Sequence, residues 1–396
     1  GNLKIGEVRN DTCIKIAATP LKCSFRQYGN IDDVQSLKYS SNTYQFLTAI
    51  KVGKGNYIYN KALVIGKFMP FHKGHLALID FAATQAETVS VCVTGHNGEV
   101  ISSAERARWV IESYTQNSSI NVRNLSYDPG KLNESSVSDL KSTEEWAEYL
   151  KAELEDFSEI DVIIGSEMYV KYMADYLGIG YIIYDEHREN MPISATDIKG
   201  DIIRYWDYLS PAAKRSYVQH ICICGSESTG KTTVCKKLEE EYSFVTMIPE
   251  IGRCLVGKSE LCTIDTLKKI FAIHNDLLTA IKYDPPTPII LWDTDNITTL
   301  SYFTYLYPGR YGSEIMEGRE VCLADYYFFF ESNIPFCDDG TRFSEGQALS
   351  LSLWHKKQYE NHKVSIELVN DYNRYDVVKE YVLNTIERIK TQLFNF

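Results

Sequence analysis

The sequence predicts two consecutive α/β domains, each a doubly wound parallel sheet, preceded by a small appendage. Two stretches, residues 62–86 and 220–242, share one local order: a short apolar run, a glycine-containing turn and a helical pattern. Units of this kind build parallel sheets whose two faces are covered by helices. The chain of 396 residues is also too long for one ordinary core, since domains usually span about 100–200 residues.

The further elements follow each unit in order. The first domain is predicted to contain, in sequence, strand 62–65, helix 74–86, strand 89–93, helix 104–114, helix 144–157, strand 161–164 and strand 181–184. The second is predicted to contain strand 220–224, helix 231–242, strand 288–292, strand 326–330 and the terminal helix 376–393. A break at Ser210-Pro211 separates them, because the residue before a proline disfavours helix. The predicted domains are residues 1–58, 59–209 and 215–396.

Composition narrows the class of protein. Hydrophobic residues make up 44% and charged residues 24%, which is ordinary for a globular protein. The ten cysteines show no C-x-x-C pair, so reduced buried thiols are favoured over a metal site. No apolar run approaches the ~18 residues that span a bilayer, and the chain does not start with a signal-peptide pattern. We therefore expect a soluble, cytoplasmic protein.

Charge is distributed unevenly along the chain. The net charge of −12 argues against nucleic-acid binding by the chain as a whole. Residues 1–60, however, carry eight Lys or Arg against four Asp or Glu. Residues 1–58 lack a convincing helix–turn–helix pattern, and we predict a small basic domain of unknown role. DNA binding by this segment and homo-oligomer formation are left open by the sequence.

The first candidate site follows the first strand. Residues 66–75 read G-K-F-M-P-F-H-K-G-H. Gly66 and Gly74 allow backbone to approach a phosphate closely at a helix start. His72 and His75 are three residues apart and face the same way on a helical turn, where imidazoles can donate to a polyphosphate. Ordinary polar histidines or a metal pair are the alternatives, and the full pattern between a strand and a helix favours the phosphate site.

The second candidate site follows strand 220–224. Residues 225–232 read G-S-E-S-T-G-K-T and satisfy the P-loop pattern G-x-x-x-x-G-K-[ST] in full. The candidate ATP-binding residues are Gly225, Ser226, Glu227, Ser228, Thr229, Gly230, Lys231, Thr232 and Thr233. The loop backbone can cradle phosphates, Lys231 can reach the β and γ oxygens, and Thr232 can ligate Mg²⁺.

Acidic and basic residues downstream complete this second site. The apolar run 288–292 ends in Asp293, at the sheet edge where ligands bind. Asp293 is predicted to hold Mg²⁺ or to take a proton from a substrate hydroxyl, and Asp295 is a second candidate. Arg342, in the stretch D-D-G-T-R at residues 338–342, is a candidate for contacting the transferring phosphoryl group. A solvated surface turn is the alternative for that stretch.

The first motif resembles the HxGH nucleotidyltransferase superfamily. That resemblance implies a downstream helix start that holds the ATP phosphates, and residues 193–199, I-S-A-T-D-I-K, match its I-S-x-T-x-I-R motif. Lys199 stands where that family usually has Arg, which keeps the charge and loses the bidentate fork. The resemblance implies ATP binding by Gly66, Lys67, Phe68, Gly74, Ser194, Thr196 and Lys199, with His72 and His75 catalytic.

The order of the two sites resembles the bifunctional nicotinamide mononucleotide adenylyltransferase/ribosylnicotinamide kinase (NadR-type) family. Shared stretches include residues 106–109, 204–209, 250–253, 293–299 and 338–342. The resemblance implies that the P-loop domain phosphorylates nicotinamide riboside and that the HxGH domain joins nicotinamide mononucleotide to AMP, giving NAD and pyrophosphate. The implied ligands are ATP with Mg²⁺, nicotinamide riboside, nicotinamide mononucleotide and NAD. Candidate substrate residues are Trp109, Trp146, Glu250, Arg253, Trp292 and Asp295, although the tryptophans suit core packing equally.

Two other functions fit the same motifs. An NAD-responsive transcriptional regulator would use the nucleotide sites as sensors, and a fused phosphopantetheine adenylyltransferase/dephospho-coenzyme A kinase also places an HxGH domain before a P-loop kinase. The opening G-K-F-x-P-F-H at residues 66–72 resembles the nicotinamide group more than the G-S/T-F-D-P opening of the pantetheine enzymes. Lys199 and the short segment 95–103 depart from the family pattern. If one of the two activities is reduced or lost, we expect it to be the adenylyltransferase.

Overall fold

The fold consists of two five-stranded sheets covered by helices. The computed structural model describes residues 57–133, 139–256, 262–337, 342–370 and 372–394. Of the predicted N-terminal domain only residues 57 and 58 lie within these ranges, and residues 338–341 lie outside them. Among the described residues no helix is both long and apolar enough to cross a membrane.

The first sheet is entirely parallel, in the order β3-β2-β1-β4-β5. Its four central β1 residues, Ala62 to Ile65, are buried on both faces, as expected where helices cover both sides. The elements are β1 Tyr59–Gly66, α1 Lys73–Gln85, β2 Ala86–Gly95, α2 Ser103–Ser113, β3 Ile120–Ser126, α3 Leu140–Glu153, β4 Val162–Gly165, α4 Tyr169–Leu177, β5 Gly180–Ile183 and α5 Ala195–Gly200. Strands β2 and β3 lie on one side of β1, and β4 and β5 lie on its other side. This switch point between β1 and β4 places a ligand crevice at the carboxyl end of β1.

A short helix, α6 Pro211–Tyr217, connects the two sheets. Ser210 caps it by accepting from the Ala213 amide, and Pro211 occupies the first helical position, where its missing N–H costs nothing. The segment also packs against both halves of the chain. Trp206 Nε1 donates to the carbonyl of Pro285 at 2.8 Å, and Lys214 Nζ lies 2.7 Å from Asp284 Oδ1. The two halves therefore share a packed, partly polar junction.

The second sheet is also parallel, in the order β10-β9-β6-β8-β7. Its elements are β6 Gln219–Cys224, α7 Lys231–Glu241, β7 Val245–Ile248, α8 Ile251–Leu255, α9 Ile264–Tyr283, β8 Ile289–Asp293, α10 Asn296–Leu306, α11 Ser313–Met316, β9 Tyr326–Phe330, α12 Glu345–Asn361, β10 Glu367–Val369 and α13 Arg374–Phe394. β6 is the central strand of this sheet. The loop that follows it therefore lies in the middle of the edge formed by the carboxyl ends of the strands.

The predicted fold class is confirmed: two doubly wound parallel sheets follow one another. Strands β3, β7 and β10 were not predicted. β3 and β10 are edge strands whose residues are largely exposed or half-exposed, and β7 has only four residues. Short or half-polar strands give little periodic signal.

Candidate functional site

The first site is built on the turn between β1 and α1. His72 is the N-cap of α1, and its Nδ1 accepts from the Gly74 amide at 3.1 Å. The Nδ1 of His75 accepts in turn from the His72 amide at 3.3 Å. This reciprocal cap brings the two rings to 3.7 Å, stacked at 26°. The spacing of three residues has therefore produced a rigid imidazole pair at a helix N-terminus.

The two imidazoles are held neutral and in one tautomer. Each Nδ1 accepts a backbone N–H, so each ring carries its proton on Nε2. Withdrawal from water lowers the pKa of His72 to about 4, and Arg188 nearby adds to the effect. Burial, His72 and Arg188 lower the pKa of His75 well below its usual value. Near neutral pH, both rings can present an Nε2–H donor to an anion.

Gly74 is required by the packing of this turn. A Cβ at Gly74 would lie 2.9 Å from His72 Cε1 and 3.0 Å from its Nδ1, which is closer than side-chain carbons approach. Met191 contacts the other side, with its Cγ 3.6 Å from the same Cβ position. The segment that leads into residues 193–199 therefore packs directly on the histidine turn.

The side chains of Lys67 and Phe68 both make contacts within the protein. Lys67 Nζ lies 3.1 Å from the buried Glu99 Oε1, and Phe68 is buried with its ring edge-on to His75 at 5.0 Å. Glu99 also contacts the fully buried Arg106, which donates to the carbonyls of Lys67 and Thr94. In this structure Lys67 and Phe68 shape the turn, so their predicted contact with ATP would be through backbone or after movement.

The second half of the first site is a capped helix start. Ser194 is the N-cap of α5, with its Oγ accepting from the Asp197 amide at 3.0 Å and donating to Asp197 Oδ2 at 2.5 Å. Thr196 is exposed and Lys199 lies in the last turn of this six-residue helix. The Ser194 hydroxyl is already satisfied by Asp197, so a phosphate here would have to compete with that carboxylate.

Arg188 is a cation of the first site that motif reasoning missed. It lies in the turn after β5, where Arg188 and Asp185 have φ values of 53° and 50°. Its charge lowers the pKa of His72, His75 and Asp197. The turn is held by Asp185, which accepts from the amides of Asn190 and Met191. The only sequence signal was a basic residue six positions before Ser194.

The second site is the P-loop between β6 and α7. Gly225 has φ of +135°, and a Cβ there would lie 2.5 Å from the carbonyl oxygen of Phe330, so only glycine fits. Lys231 Nζ donates to the Ser226 carbonyl at 2.7 Å and lies 3.4 Å from Thr229 Oγ1. On ATP binding, Lys231 would exchange these contacts for phosphate oxygens.

Asp293 lies at the base of the P-loop and is fully buried. Its Oδ2 accepts from Thr232 Oγ1 at 2.5 Å, and its Oδ1 has no hydrogen-bond partner among the described residues. Burial raises the pKa of Asp293 to about 6, with Glu250 adding to the rise. A hydroxyl and a carboxylate in contact, with one carboxylate oxygen to spare, suit the hard oxygen coordination of Mg²⁺.

A cavity of about 430 Å³ opens over the P-loop. Its lining is mostly basic or hydroxyl-bearing and consists of Ser228, Thr229, Gly230, Lys231, Thr232, Thr233, Lys236, Lys237, Glu240, Arg253 and Arg342. Arg253 Nε lies 2.6 Å from Glu250 Oε2. The structure thus brings the predicted Arg342, Arg253 and P-loop residues to one cavity, with Glu250 at its edge.

Asp295, the second acidic candidate, follows Asp293 at the start of α10. It is fully buried as the N-cap of α10, and its Oδ1 accepts from the Thr298 amide at 2.9 Å and from Tyr359 OH at 2.7 Å. It does not line the cavity described above. Its Oδ1 links α10 to Tyr359 of α12, while its Oδ2 has no hydrogen-bond partner among the described residues.

The three candidate tryptophans lie in packed cores. Trp109 Nε1 donates to Ser216 Oγ at 2.8 Å, Trp146 Nε1 to the Asn133 carbonyl at 2.9 Å, and Trp292 Nε1 to His220 Nδ1 at 3.1 Å. None is more than 1% exposed. In β8 the side chains of Trp292 and Asp293 point to opposite faces. In this structure none of the three rings has an exposed face on which a nicotinamide could stack.

Comparison with known proteins gives two family matches, one per sheet. The cytidylyltransferase-like family matches residues 63–201, and the AAA domain family matches residues 220–376. The first match contains both halves of the histidine site and the second contains the P-loop, Asp293 and Arg342.

Two curated relatives span both domains. The trifunctional NAD biosynthesis/regulator protein NadR of Salmonella typhimurium strain LT2 is 27% identical over 339 residues, covering 79% of this chain and 77% of the relative. NadR of Escherichia coli strain K12 is 27% identical over 333 residues, covering 78% and 76%. A crystal structure of NadR protein in complex with NR aligns with a TM-score of 0.48 at 20% identity, covering 84% of this chain and 96% of that chain.

The fold and its two phosphate-binding loops define a bifunctional enzyme, in which a nucleotidyltransferase domain precedes a P-loop kinase domain. The chain is similar to NadR proteins across both of these domains.

Proposed function

We propose that this chain makes NAD from nicotinamide riboside in two ATP-dependent steps. The observation that carries the proposal is the similarity to NadR relatives across both domains, in a chain that has a capped histidine pair in one domain and a complete P-loop in the other. The names of those relatives state NAD biosynthesis and regulation, and they favour nicotinamide substrates over the pantetheine substrates that the motifs also allow.

In the kinase step, the 5′-hydroxyl of nicotinamide riboside attacks the γ-phosphorus of ATP. A new O–P bond forms, the bond to the β–γ bridging oxygen breaks, and ADP leaves. Lys231 binds the phosphates, and Arg342 and Arg253 offset negative charge in the cavity. Thr232 and Asp293 would hold Mg²⁺, which supplies charge neutralisation of the phosphates. The alternative role of Asp293 is to take the proton that the attacking hydroxyl releases.

In the adenylyl step, a phosphate oxygen of nicotinamide mononucleotide attacks the α-phosphorus of ATP, and pyrophosphate leaves. His72 and His75 donate from Nε2 to the polyphosphate, because their Nδ1 atoms are occupied by backbone amides. Ser194, Thr196, Lys199 and the missed Arg188 surround the departing pyrophosphate in this proposal. No covalent enzyme intermediate is needed, so positioning and charge stabilisation provide the catalysis.

A product assay tests the proposal. The full chain is incubated with ATP and Mg²⁺ together with nicotinamide riboside, nicotinamide mononucleotide or phosphopantetheine, and products are identified by mass. We expect nicotinamide mononucleotide and NAD from the riboside, and NAD with pyrophosphate from the mononucleotide. Product from phosphopantetheine alone would contradict the proposal. A DNA mobility shift by residues 1–60 at low salt would add a regulatory role to it.

A further inference from the structure

The side chains of two P-loop residues, Glu227 and Ser228, contact the segment that carries Arg342. Ser228 Oγ accepts from the Cys337 amide at 2.7 Å and donates to the Cys337 carbonyl at 3.3 Å. Glu227 Oε2 accepts from the Phe343 amide at 2.7 Å. These two residues vary freely in the P-loop pattern, so the sequence assigned them only a backbone role.

Glu227 is a firmly held carboxylate rather than a solvated one. The residue is 8% exposed, and its second oxygen, Oε1, accepts from Tyr302 OH at 3.1 Å. A carboxylate this buried is tolerated only when its oxygens are hydrogen-bonded, and here each oxygen has a donor. The Tyr302 ring also stacks on the Phe343 ring, with a distance of 6.2 Å between ring centroids and an angle of 16° between ring planes. Phe343, which is 2% exposed, is thereby fixed through both its amide and its ring.

The fixed Phe343 determines where its neighbour Arg342 lies. Arg342 lines the phosphate cavity together with Lys231 and Arg253, and its Nη1 donates to the Cys337 carbonyl at 2.5 Å. Cys337 is the residue held by Ser228. Cys337, which contacts the Arg342 guanidinium, and Phe343, which fixes the adjoining backbone, are therefore both held by side chains of the P-loop itself.

We infer that Glu227 is a positioning residue for the kinase reaction, acting by holding Phe343 so that Arg342 faces the ATP phosphates. This inference rests on the proposed kinase activity and deepens it. An arginine that offsets charge on a transferring phosphoryl group is effective only when it is already in place, because reorganisation during the reaction costs rate. Binding of ATP and placement of Arg342 then depend on the same loop.

The rival explanation is that Glu227 acts chemically, as a proton acceptor or a metal ligand. Glutamine distinguishes the two roles. The carbonyl of Glu227→Gln can still accept from the Phe343 amide, while its amide group can donate to the Tyr302 oxygen, so the anchor survives without the charge. Alanine removes the anchor altogether.

The test compares Glu227→Ala, Glu227→Gln, Arg342→Ala and the double variant Glu227→Ala/Arg342→Ala, with Glu345→Gln as a matched control on an exposed carboxylate of the same segment. The readouts are kcat and KM for ATP in the kinase reaction, and NAD formation from supplied nicotinamide mononucleotide as a check that the chain is folded. We expect Glu227→Ala to lower kcat about 10- to 100-fold, since a displacement of about 1 Å can cost 10²-fold, with KM for ATP little changed. Glu227→Gln should stay within about threefold of wild type, and the double variant should be no slower than Arg342→Ala.

Loss of kcat in Glu227→Gln equal to that in alanine would overturn the inference, because charge would then be required. Multiplicative losses in the double variant would overturn it too, because Glu227 would then act independently of Arg342. If the wild-type chain leaves nicotinamide riboside unphosphorylated, the proposed function has failed. The same five variants are then compared by their rates of ATP hydrolysis. The positioning role is supported if the ratios of variant to wild-type rate match those given above, and it is opposed if they differ.

Discussion

The imidazoles of His72 and His75 cap the same helix reciprocally, with ring centroids 3.7 Å apart. Each Nδ1 accepts one backbone amide of the turn. Two cationic rings would repel each other at this distance, and burial already opposes a charge on either. The pair can therefore present two neutral Nε2–H donors at the N-terminus of α1.

The protonation state of this pair is directly observable. Because the pKa of His72 is lowered to about 4 and that of His75 lies well below its usual value, neither ring should titrate between pH 5.5 and pH 8. The measurement is histidine-selective NMR of the ring Cε1–H signals, assigned with His72→Asn and His75→Asn. A midpoint near the ordinary histidine value of about 6.5 for either ring would contradict the capped, neutral pair.

Gly74 allows the His72 ring to sit where it does. We expect Gly74→Ala to displace that ring, because the new Cβ would lie 2.9 Å from Cε1. Adenylyl transfer should fall by about 10²-fold, while phosphorylation of nicotinamide riboside by the other domain is unchanged. Gly200→Ala is the control, since nothing lies within 4 Å of a Cβ there. Equal activity of the two variants would show that the ring position does not matter.

We expect the Asp293 carboxylate to lower the free energy of unfolding at neutral pH, because burial disfavours its charged form. Its folded pKa of about 6 lies above the ordinary value of 3.8, so the folded state binds the proton more tightly and loses stability as pH rises from about 4 to 6. Asp293→Asn should raise the free energy of unfolding at pH 7.5 by on the order of 1–3 kcal/mol, with a smaller gain at pH 4.5, and should abolish kinase turnover. Urea unfolding of both proteins at the two pH values measures this. A gain that is equal at both values would count against the raised pKa.

The buried Lys214 and Asp284 pair links the two domains. The Lys214 side chain is 4% exposed and that of Asp284 is 41% exposed, so removing the acid strands a buried ammonium. We expect Asp284→Ala to cost about 1–2 kcal/mol of unfolding free energy, reduced from the fully buried case by the exposure of Asp284. Lys214→Met should cost less, because it removes the buried charge itself. Calorimetric unfolding of both variants checks the order, and a larger loss in Lys214→Met would refute it.

The positions of the two predicted phosphate loops, each between a strand and a helix, followed from the sequence because their residue types are dictated by local chemistry. Gly225 fits only as glycine against the Phe330 carbonyl, and Lys231, Thr232 and Asp293 follow a spacing set by the strand ends. The histidine pair was likewise predictable from a spacing of three residues. At these positions the local sequence is sufficient to predict the geometry of the turn.

Other residues depended on contacts that local sequence does not encode. For Trp109 the sequence left substrate stacking and core packing equally open, and its place in the core depends on Ser216, 107 positions along the chain. Arg188 reaches the histidines only because Asp185 folds its turn. The carboxylate of Glu227 meets Phe343 across 116 positions. Such long-range partners are decided by tertiary packing, and no periodicity or motif reveals them.

The central claim is that one chain carries two separate ATP-dependent sites that act in series. The measurement that tests it most directly follows the products of nicotinamide riboside, ATP and Mg²⁺ with wild type, His75→Ala and Lys231→Ala. We predict that His75→Ala accumulates nicotinamide mononucleotide without NAD, and that Lys231→Ala leaves the riboside unphosphorylated but still converts supplied mononucleotide to NAD. If either substitution abolished both products, the two sites would not be independent.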